Sequence, residues 1–422
     1  RAGTAAVRGE AAGRNLQPLF DAILSHVPPP TGDPSATLQF LVTNLEYSDY
    51  VGRLAVGRVF EGTLRAGEII SLCGIGGEVK KLKGTLLYGY EGLSRTEIPE
   101  ATAGDIVAIA GMEDVTIGDT ISDAEKPKPL PRIAVDEPTV SMVFSINTSS
   151  FAGREGKFVT SRQVRARLEK ELLGNVALRV DFSGTDYFTV MGRGELQLVI
   201  LIEMMRREGF ELSVSRPEVV TKTEGGAVVE PVEALFVDVP DAYLGAVTQA
   251  LGIRRAKMTK MINPGQGRVR IEYRIPSRGL IGFRSEFLTL TRGTGLLNHL
   301  FDGYDPWQGP IPERINGALV ADRVGRTTAY AIFHLQSRGT FFIGEGVQVY
   351  EGMIVGENSR PVDIDVNITK EKKLTNIRAA GTDEALRLVP PRILSLEAAL
   401  EFINEDELVE ITPASIRMRK KI

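Results

Sequence analysis

Four cations, Lys370, Lys372, Lys373 and Arg378, fall within nine positions of the stretch NITKEKKLTNIRAAGTDE (residues 367–384), opposed there only by Glu371. Ammonium groups attract phosphate oxygens as point charges and a guanidinium can grip one with two parallel hydrogen bonds, so this spacing offers anion binding. A second concentration lies between Leu251 and Arg292, where ten basic residues face two acidic ones. Arg254, Arg255 and Lys257 stand at a helix end, Arg278 and Arg284 bracket SRGLIGFR, and Arg292 follows. Arginines beside exposed glycines bring backbone close to RNA phosphates, and this group reads as a surface for the backbone and shape of folded RNA. Arg268, Arg270 and Arg274 alternate along RVRIEYR and read instead as solvent-facing strand charges. In a chain of net charge −4 such segregation makes local phosphate-binding patches, and one tryptophan argues against a platform for stacking bases.

Catalytic constellations are sparse. FAGREGKF (151–158) has Gly156 and Lys157 in the order of a phosphate loop. Phe151 stands where that loop needs its first glycine, however, and Phe158 where it needs Ser or Thr. DFSG at 181 and DRVG at 322 match nucleotide-switch motifs in letters only and read as turns. His26, His299 and His334 are far apart in apolar patterns and read as structural histidines. Glu405, Asp406 and Glu407 follow a surface helix as a solvated run. No serine nucleophile elbow is present, and the single cysteine, Cys73, excludes an internal disulfide and a thiolate zinc cluster. No catalytic, cofactor or metal site is expected in these residues.

The elements that must carry the cations follow from periodicity. At 422 residues the chain exceeds what one core can support, and no apolar run is long enough to span a membrane. LQPLFDAILSHVPPP spaces its apolar residues as a helix and stops at three prolines. From Thr37 to Ile121 short β-rich runs alternate with glycines, the pattern of a closed barrel. AEKPKPLPRIAVDEP reads as a linker. The next stretch has the order βαββαβ, with helices at SRQVRARLEKELLGN and GELQLVILIEMMRREG, and the order recurs after TKTEGGAVVEP, with a helix capped by Asp241. Beyond Gly309 the chain reads as mostly β, RTTAYAIFHLQ included, with one helix capped by Ser395. The fold class expected is multidomain α+β: a β-barrel, two ferredoxin-like βαββαβ domains, and a mostly-β C-terminal domain with one helix. The boundaries expected are 1–30, a tail and helix; 31–126, the barrel; 127–136, a linker; 137–220, the first ferredoxin-like domain; 221–230, a hinge; 231–308, the second; and 309–422, the C-terminal domain.

VGRVFEGTLRAGE, GDIVAIAGMEDVTIGDTI, GRGELQLVILIEMMRREGFELSVSRP, IPSRGLIGFRSEF and TRGTGLL, taken together, resemble the translational GTPases. KKLTNIRAAGTDEALRLVPP and DELVEITPASIRMRK narrow the resemblance to the BipA/TypA family, and it covers nearly the whole chain from Leu16. Elongation factor G carries another domain between its ferredoxin-like units, whereas here Pro217 and Pro231 are separated only by the hinge. The resemblance implies that residues 1–30 are the remnant of a GTPase domain, so that GTP and Mg2+ belong to the full-length hydrolase and this fragment neither binds nor hydrolyses GTP. It implies a monomer docking in the intersubunit factor site of a 70S-type ribosome, contacting rRNA and the acceptor end of A-site tRNA. The implied roles are translation under stress and cold and large-subunit assembly, in a bacterial cytoplasm or a plastid stroma. The RNA-contacting set is then Lys370, Lys372, Lys373, Arg378, Arg254, Arg255, Lys257, Arg278, Arg284 and Arg292. The alternative is a protein-docking or autoinhibitory module without direct RNA contact.

Overall fold

The computed structural model describes residues 4–6, 15–48, 50–92, 94–133, 137–265, 267–311, 314–372 and 387–421. They form two compact units, Arg1–Val135 with Leu173–Val176, and Asp136–Leu172 with Ala177–Ile422.

In the first unit the helix Gln17–His26 opens with proline in its first turn and buries none of its residues; Leu19, Phe20, Ile23 and Leu24 are all exposed. The alternating segment forms an eight-stranded sheet in the spatial order Val79–Lys83, Ile69–Cys73, Thr120–Asp123, Gln39–Ser48, Gly52–Glu61, Ile106–Ala110, Leu87–Glu91, Ser94–Glu97. Its core gathers Phe40, Val59, Leu64, Ile70, Leu87, Ile109 and Ile121. The strands Val79–Lys83 and Leu87–Glu91 run on from one another through residues 84–86, the first pairing with Ile69–Cys73 and the second with Ile106–Ala110. Gly84 bonds Gly67 and Glu68, and Thr85 and Leu86 bond Ala110, so the hydrogen bonding runs round in the ring expected of a barrel. Thr63–Arg65 and Glu100–Thr102 pair separately as a short ribbon.

The second unit starts with a four-stranded antiparallel sheet ordered Arg179–Asp181, Tyr187–Gly192, Val140–Ile146, Leu212–Val214. Numbered along the module the order is two, three, one, four, that of the ferredoxin-like fold. Its helices are Ser161–Gly174, which buries Val164 and Leu168, and Glu195–Glu208, which buries Leu198, Val199, Leu201, Ile202 and Met205. Gly209 ends the latter at φ 102°, a left-handed value that glycine adopts without a Cβ penalty. The same strand order recurs with Lys257–Ile262, Arg268–Pro276, Ala227–Pro240 and Leu296–Pro306. Here the helix is Leu244–Ile253. Asp241 does not cap it; it begins a 3-10 turn, Asp241–Tyr243, that precedes the helix. Ser277–Leu280 and Phe283–Leu290 form the other helical layer, broken at Gly282 with φ 70°. The 221–230 segment, read as a hinge, is a hairpin in which Lys222–Glu224 pairs with the first residues of the long 227–240 strand.

Residues beyond 309 extend the first ferredoxin-like sheet. Leu212 pairs with Ile411, and the strands continue through Glu407–Ile411, Ile416–Lys420, Met353–Asn358, Ala318–Ala321 and, in parallel, Ile364–Val366. One apolar core contains Phe144 and Phe188 together with Leu400, Val409 and Ile411. Ser395 caps the helix Leu396–Phe402 as expected, its Oγ accepting from the Ala398 amide at 3.3 Å. The segment read as strand around AYAIFHL is a second helix, Ala329–Leu335, because Thr328 Oγ1 accepts the Ala331 amide at 3.1 Å and starts the turn.

A buried polar network ties the two parts. Glu410 and Glu211 are both fully buried. Glu410 accepts from Arg417 at 2.9 Å, from the Tyr350 hydroxyl at 2.6 Å and from Asn147 at 3.0 Å. Asn147 also donates to Glu211 at 2.8 Å, and Arg417 reaches on to Glu155.

Candidate nucleic-acid interface

Pairing in the second ferredoxin-like sheet sorts the basic segment by face. Lys257, Arg274, Ala234 and Leu300 form one row across the four strands, and Lys260, Glu272, Phe236 and Asn298 the next. Ile262, Arg270, Asp238 and Leu296 form a third. The opposite face holds Leu235, Val237, Ile271 and Tyr273 against the helices. The first face is open: Leu296, Leu300, Ile262 and Phe236 are exposed on it beside the cations.

Most of the positive charge that dominates the sequence here is neutralised in three dimensions. Arg268 pairs with Asp238 at 2.6 Å, Arg274 with Asp302 at 2.7 Å and Asp305 at 2.6 Å, and Lys260 lies 3.8 Å from Glu272. Arg270 lies 3.7 Å from Asp238 and remains largely exposed.

Two of the expected RNA contacts face inward. Arg254 donates to the carbonyls of Gly279 and Ile281, each at 2.9 Å, and to Glu286 at 2.8 Å, so it clamps the broken helical layer. Arg278 grips fully buried Glu230 through two hydrogen bonds, of 2.5 and 3.1 Å, and lies 3.8 Å over the Trp307 ring. These two are structural clamps in the folded chain, because carboxylates distant in sequence take up their donors.

Lys257, Arg284 and Arg292 are exposed, and no carboxylate pairs with any of them among the described residues. Arg255 is exposed too, with only weak hydrogen bonds, 3.3 and 3.4 Å, to the Pro310 carbonyl. Arg255 and Arg292 both have positive φ, 65° and 50°, just after helices. Such left-handed residues turn the chain sharply and leave their side chains at the rim. Lys370 and Lys372 are exposed beyond the strand Ile364–Val366, with the Lys370 carbonyl accepting the Thr328 hydroxyl at 2.6 Å. Lys373 and Arg378 lie outside the described residues.

The glycine loop at 151–158 is occupied from within. The amides of Gly153 and Gly156 donate to Glu211 at 2.8 and 2.9 Å, so a protein carboxylate sits where a phosphate would be cradled. A Cβ on Gly156 would lie 2.4 Å from that of Glu211. The loop therefore does not fit GTP with Mg2+. The three histidines are not brought together, and among the described residues no cluster of three or more His, Cys, Asp or Glu is placed to hold a metal.

Sequence reasoning missed one convergence. Glu195, Glu233, His299 and Glu401, which come from four separate elements, line a cavity of about 180 Å3 inside the second unit. Burial pushes the Glu195 carboxyl up to about 7, against the opposing effect of a hydrogen bond from the Gly282 amide at 3.3 Å. Burial also raises Glu401, and the hydrogen bond to Glu233 holds His299 above the usual imidazole range. Because Glu195 takes up its proton more readily folded than unfolded, it stabilises the fold at low pH and loses that contribution as pH rises from about 4.5 through about 7. Glu195→Gln is therefore expected to flatten stability across that window and to add about 2 kcal/mol at pH 8, checked by urea titration at both ends.

Two ferredoxin-like modules, a translation-factor-type β domain and an exposed cationic rim are the parts of a translation-factor class of protein, and family comparisons agree. Residues 52–122 match the family described as elongation factor Tu domain 2, and 227–315 match elongation factor G C-terminus. Residues 316–422 match the TypA/BipA C-terminal domain. The chain is 52% identical over 407 residues to the large ribosomal subunit assembly factor BipA of Synechocystis, covering 96% of this chain and 68% of that one. It is 48% identical to the protein of the same name in Bacillus subtilis, covering all of this chain and 69% of that one. For the Escherichia coli K12 protein the figures are 49% identity, 99% and 69%. The chain belongs to the BipA family.

Proposed function

We propose that these residues are the ribosome-binding portion of a BipA-type translational GTPase. On this reading the rim of the second ferredoxin-like module, Arg255, Lys257, Arg284 and Arg292, holds rRNA backbone in the intersubunit factor site. The 370–378 segment, with Lys370, Lys372, Lys373 and Arg378, reaches the acceptor end of A-site tRNA. The observation that carries the proposal is that these exposed rim cations remain after the neighbouring arginines have been paired internally, in a chain whose relatives are named as large-subunit assembly factors. Phosphate contacts of this kind position a protein on folded RNA without reading sequence. GTP binding and hydrolysis with Mg2+ would then be functions of the full-length protein outside this chain's described loops, since Glu211 fills the glycine loop. The proposed setting is a bacterial cytoplasm or a plastid stroma, with the chain monomeric on the ribosome; among the described residues no helix is long and apolar enough to cross a membrane.

The test is co-sedimentation with 70S ribosomes over a salt series. Reversing Arg255, Lys257, Arg284 and Arg292 to glutamate is expected to weaken binding by one to two orders of magnitude, about 1–3 kcal/mol, and to lower the salt slope by roughly one per lost phosphate contact. Unchanged affinity and slope would remove the rim from the interface. The exposed apolar side chains on the open sheet face support a second reading, a protein-docking module. Capture that survives nuclease treatment would favour it.

A further inference from the structure

The cavity beside Glu195 has the chemistry of a binding site. Its walls are apolar, contributed by Met142, Val199, Leu280, Phe283, Leu297 and Leu400 from three parts of the second unit. Set into them are Glu195, Glu401, the Glu233–His299 pair and Ser277. Ser277 is 97% buried, at 3% relative exposure, and its hydroxyl has no hydrogen-bond partner. A buried hydroxyl without a partner costs stability unless something supplies one. Such groups are rare enough in folded proteins to require a reason.

We propose that this cavity binds a small organic monocation, a compact hydrocarbon body bearing one protonated amine, with Glu195 and Ser277 receiving the ammonium. Size sets the body: a cavity of about 150 Å3 lined by Leu, Ile and Phe takes benzene, and this one is about 180 Å3. Charge sets the head. A carboxylate ionised among apolar side chains needs a cation, an anion would be repelled, and a neutral hydrocarbon would leave Glu195 and Ser277 as they are. A metal ion is disfavoured because no cluster suited to hold one occurs among the described residues. An ammonium brings three donors, enough for a carboxylate oxygen and a hydroxyl at once. Burial is what raises the affinity of Glu195 for its proton, and the charges acting on it come from Glu401, His299 and Arg254, with Arg284 and Glu397 also lining the walls. Arg284 belongs both to the RNA-facing rim and to the wall of this cavity, but the test below leaves it unchanged and reads Glu195 and Ser277 alone, so the two proposals fail separately.

The probe is benzylamine, a monocation at neutral pH, with benzyl alcohol as its neutral counterpart, each titrated into the intact chain by calorimetry in two buffers of different ionisation heat. Benzylamine is expected to bind saturably at pH 7 and to release a fraction of a proton as Glu195 ionises, with benzyl alcohol at least tenfold weaker and releasing none. Glu195→Gln, nearly isosteric, should abolish the release and weaken benzylamine tenfold or more while leaving benzyl alcohol unchanged. Ser277→Ala should weaken benzylamine several-fold. No saturable benzylamine binding, equal affinity for the two probes, or proton release that persists in Glu195→Gln would each overturn the proposal.

Discussion

Arg417→Ala is expected to destabilise the second unit by about 3–5 kcal/mol, the cost of leaving buried charge without its partner. Arg417 is only 12% exposed and is the cation bonded to both Glu410, which is fully buried, and Glu155. Tyr350 and Asn147 would still hydrogen-bond Glu410 but carry no charge to offset its own. The loss should appear as a lower urea midpoint for the unit that holds the 140–214 and 316–420 strands. Acid adds a second signature. Burial alone would raise Glu155, yet hydrogen bonds from Thr412, Arg417 and Ser415 hold it below the ordinary value of 4.5. Its contribution is therefore complete above that value and disappears as pH falls through the lower folded one. Part of the acid sensitivity of the wild type should vanish in Arg417→Ala. A midpoint unchanged by the substitution would mean that the network is not what joins the two halves of the sheet.

Arg278→Ala should cost a similar amount, about 3–5 kcal/mol, and should also be visible spectroscopically. Glu230 is fully buried, and without Arg278 the Gln308 amide, at 2.8 Å, would be its remaining partner among the described residues. The guanidinium lies 3.8 Å over Trp307, the one tryptophan of the chain, so its removal withdraws a cation from the indole face and should shift the emission of the folded protein. The substitution separates two roles for this arginine. An RNA contact would leave stability and fluorescence intact and lower ribosome affinity; an internal clamp does the reverse.

How far the sequence could be read depended on the range of the interaction concerned. The two βαββαβ orders were legible because helix and strand periodicity are local, as with Val164 and Leu168 in one helix and the alternation of 269, 271 and 273 in one strand. The Ser395 cap and the Gly209 stop were legible for the same reason. The helix at Ala329–Leu335 was not, since AYAIFHL is short and rich in β-formers and one threonine hydroxyl decided it. The candidate interface was half legible. Lys257, Arg284 and Arg292 are exposed, whereas Arg254 and Arg278, which look the same as them in one dimension, are paired internally.

By itself, then, the sequence determined the module types, their order, the family resemblance and the concentration of positive charge, all properties of neighbouring residues. Tertiary structure alone decided which charges remain unpaired, because Glu230, Asp238, Asp302 and Asp305 reach their arginines across 28 to 48 residues of chain. It also joined the last strands to the first ferredoxin-like sheet and enclosed Glu195 with Ser277 and Glu401. Ion pairing and burial depend on distance in space, and separations along the chain of this length carry no sign of it.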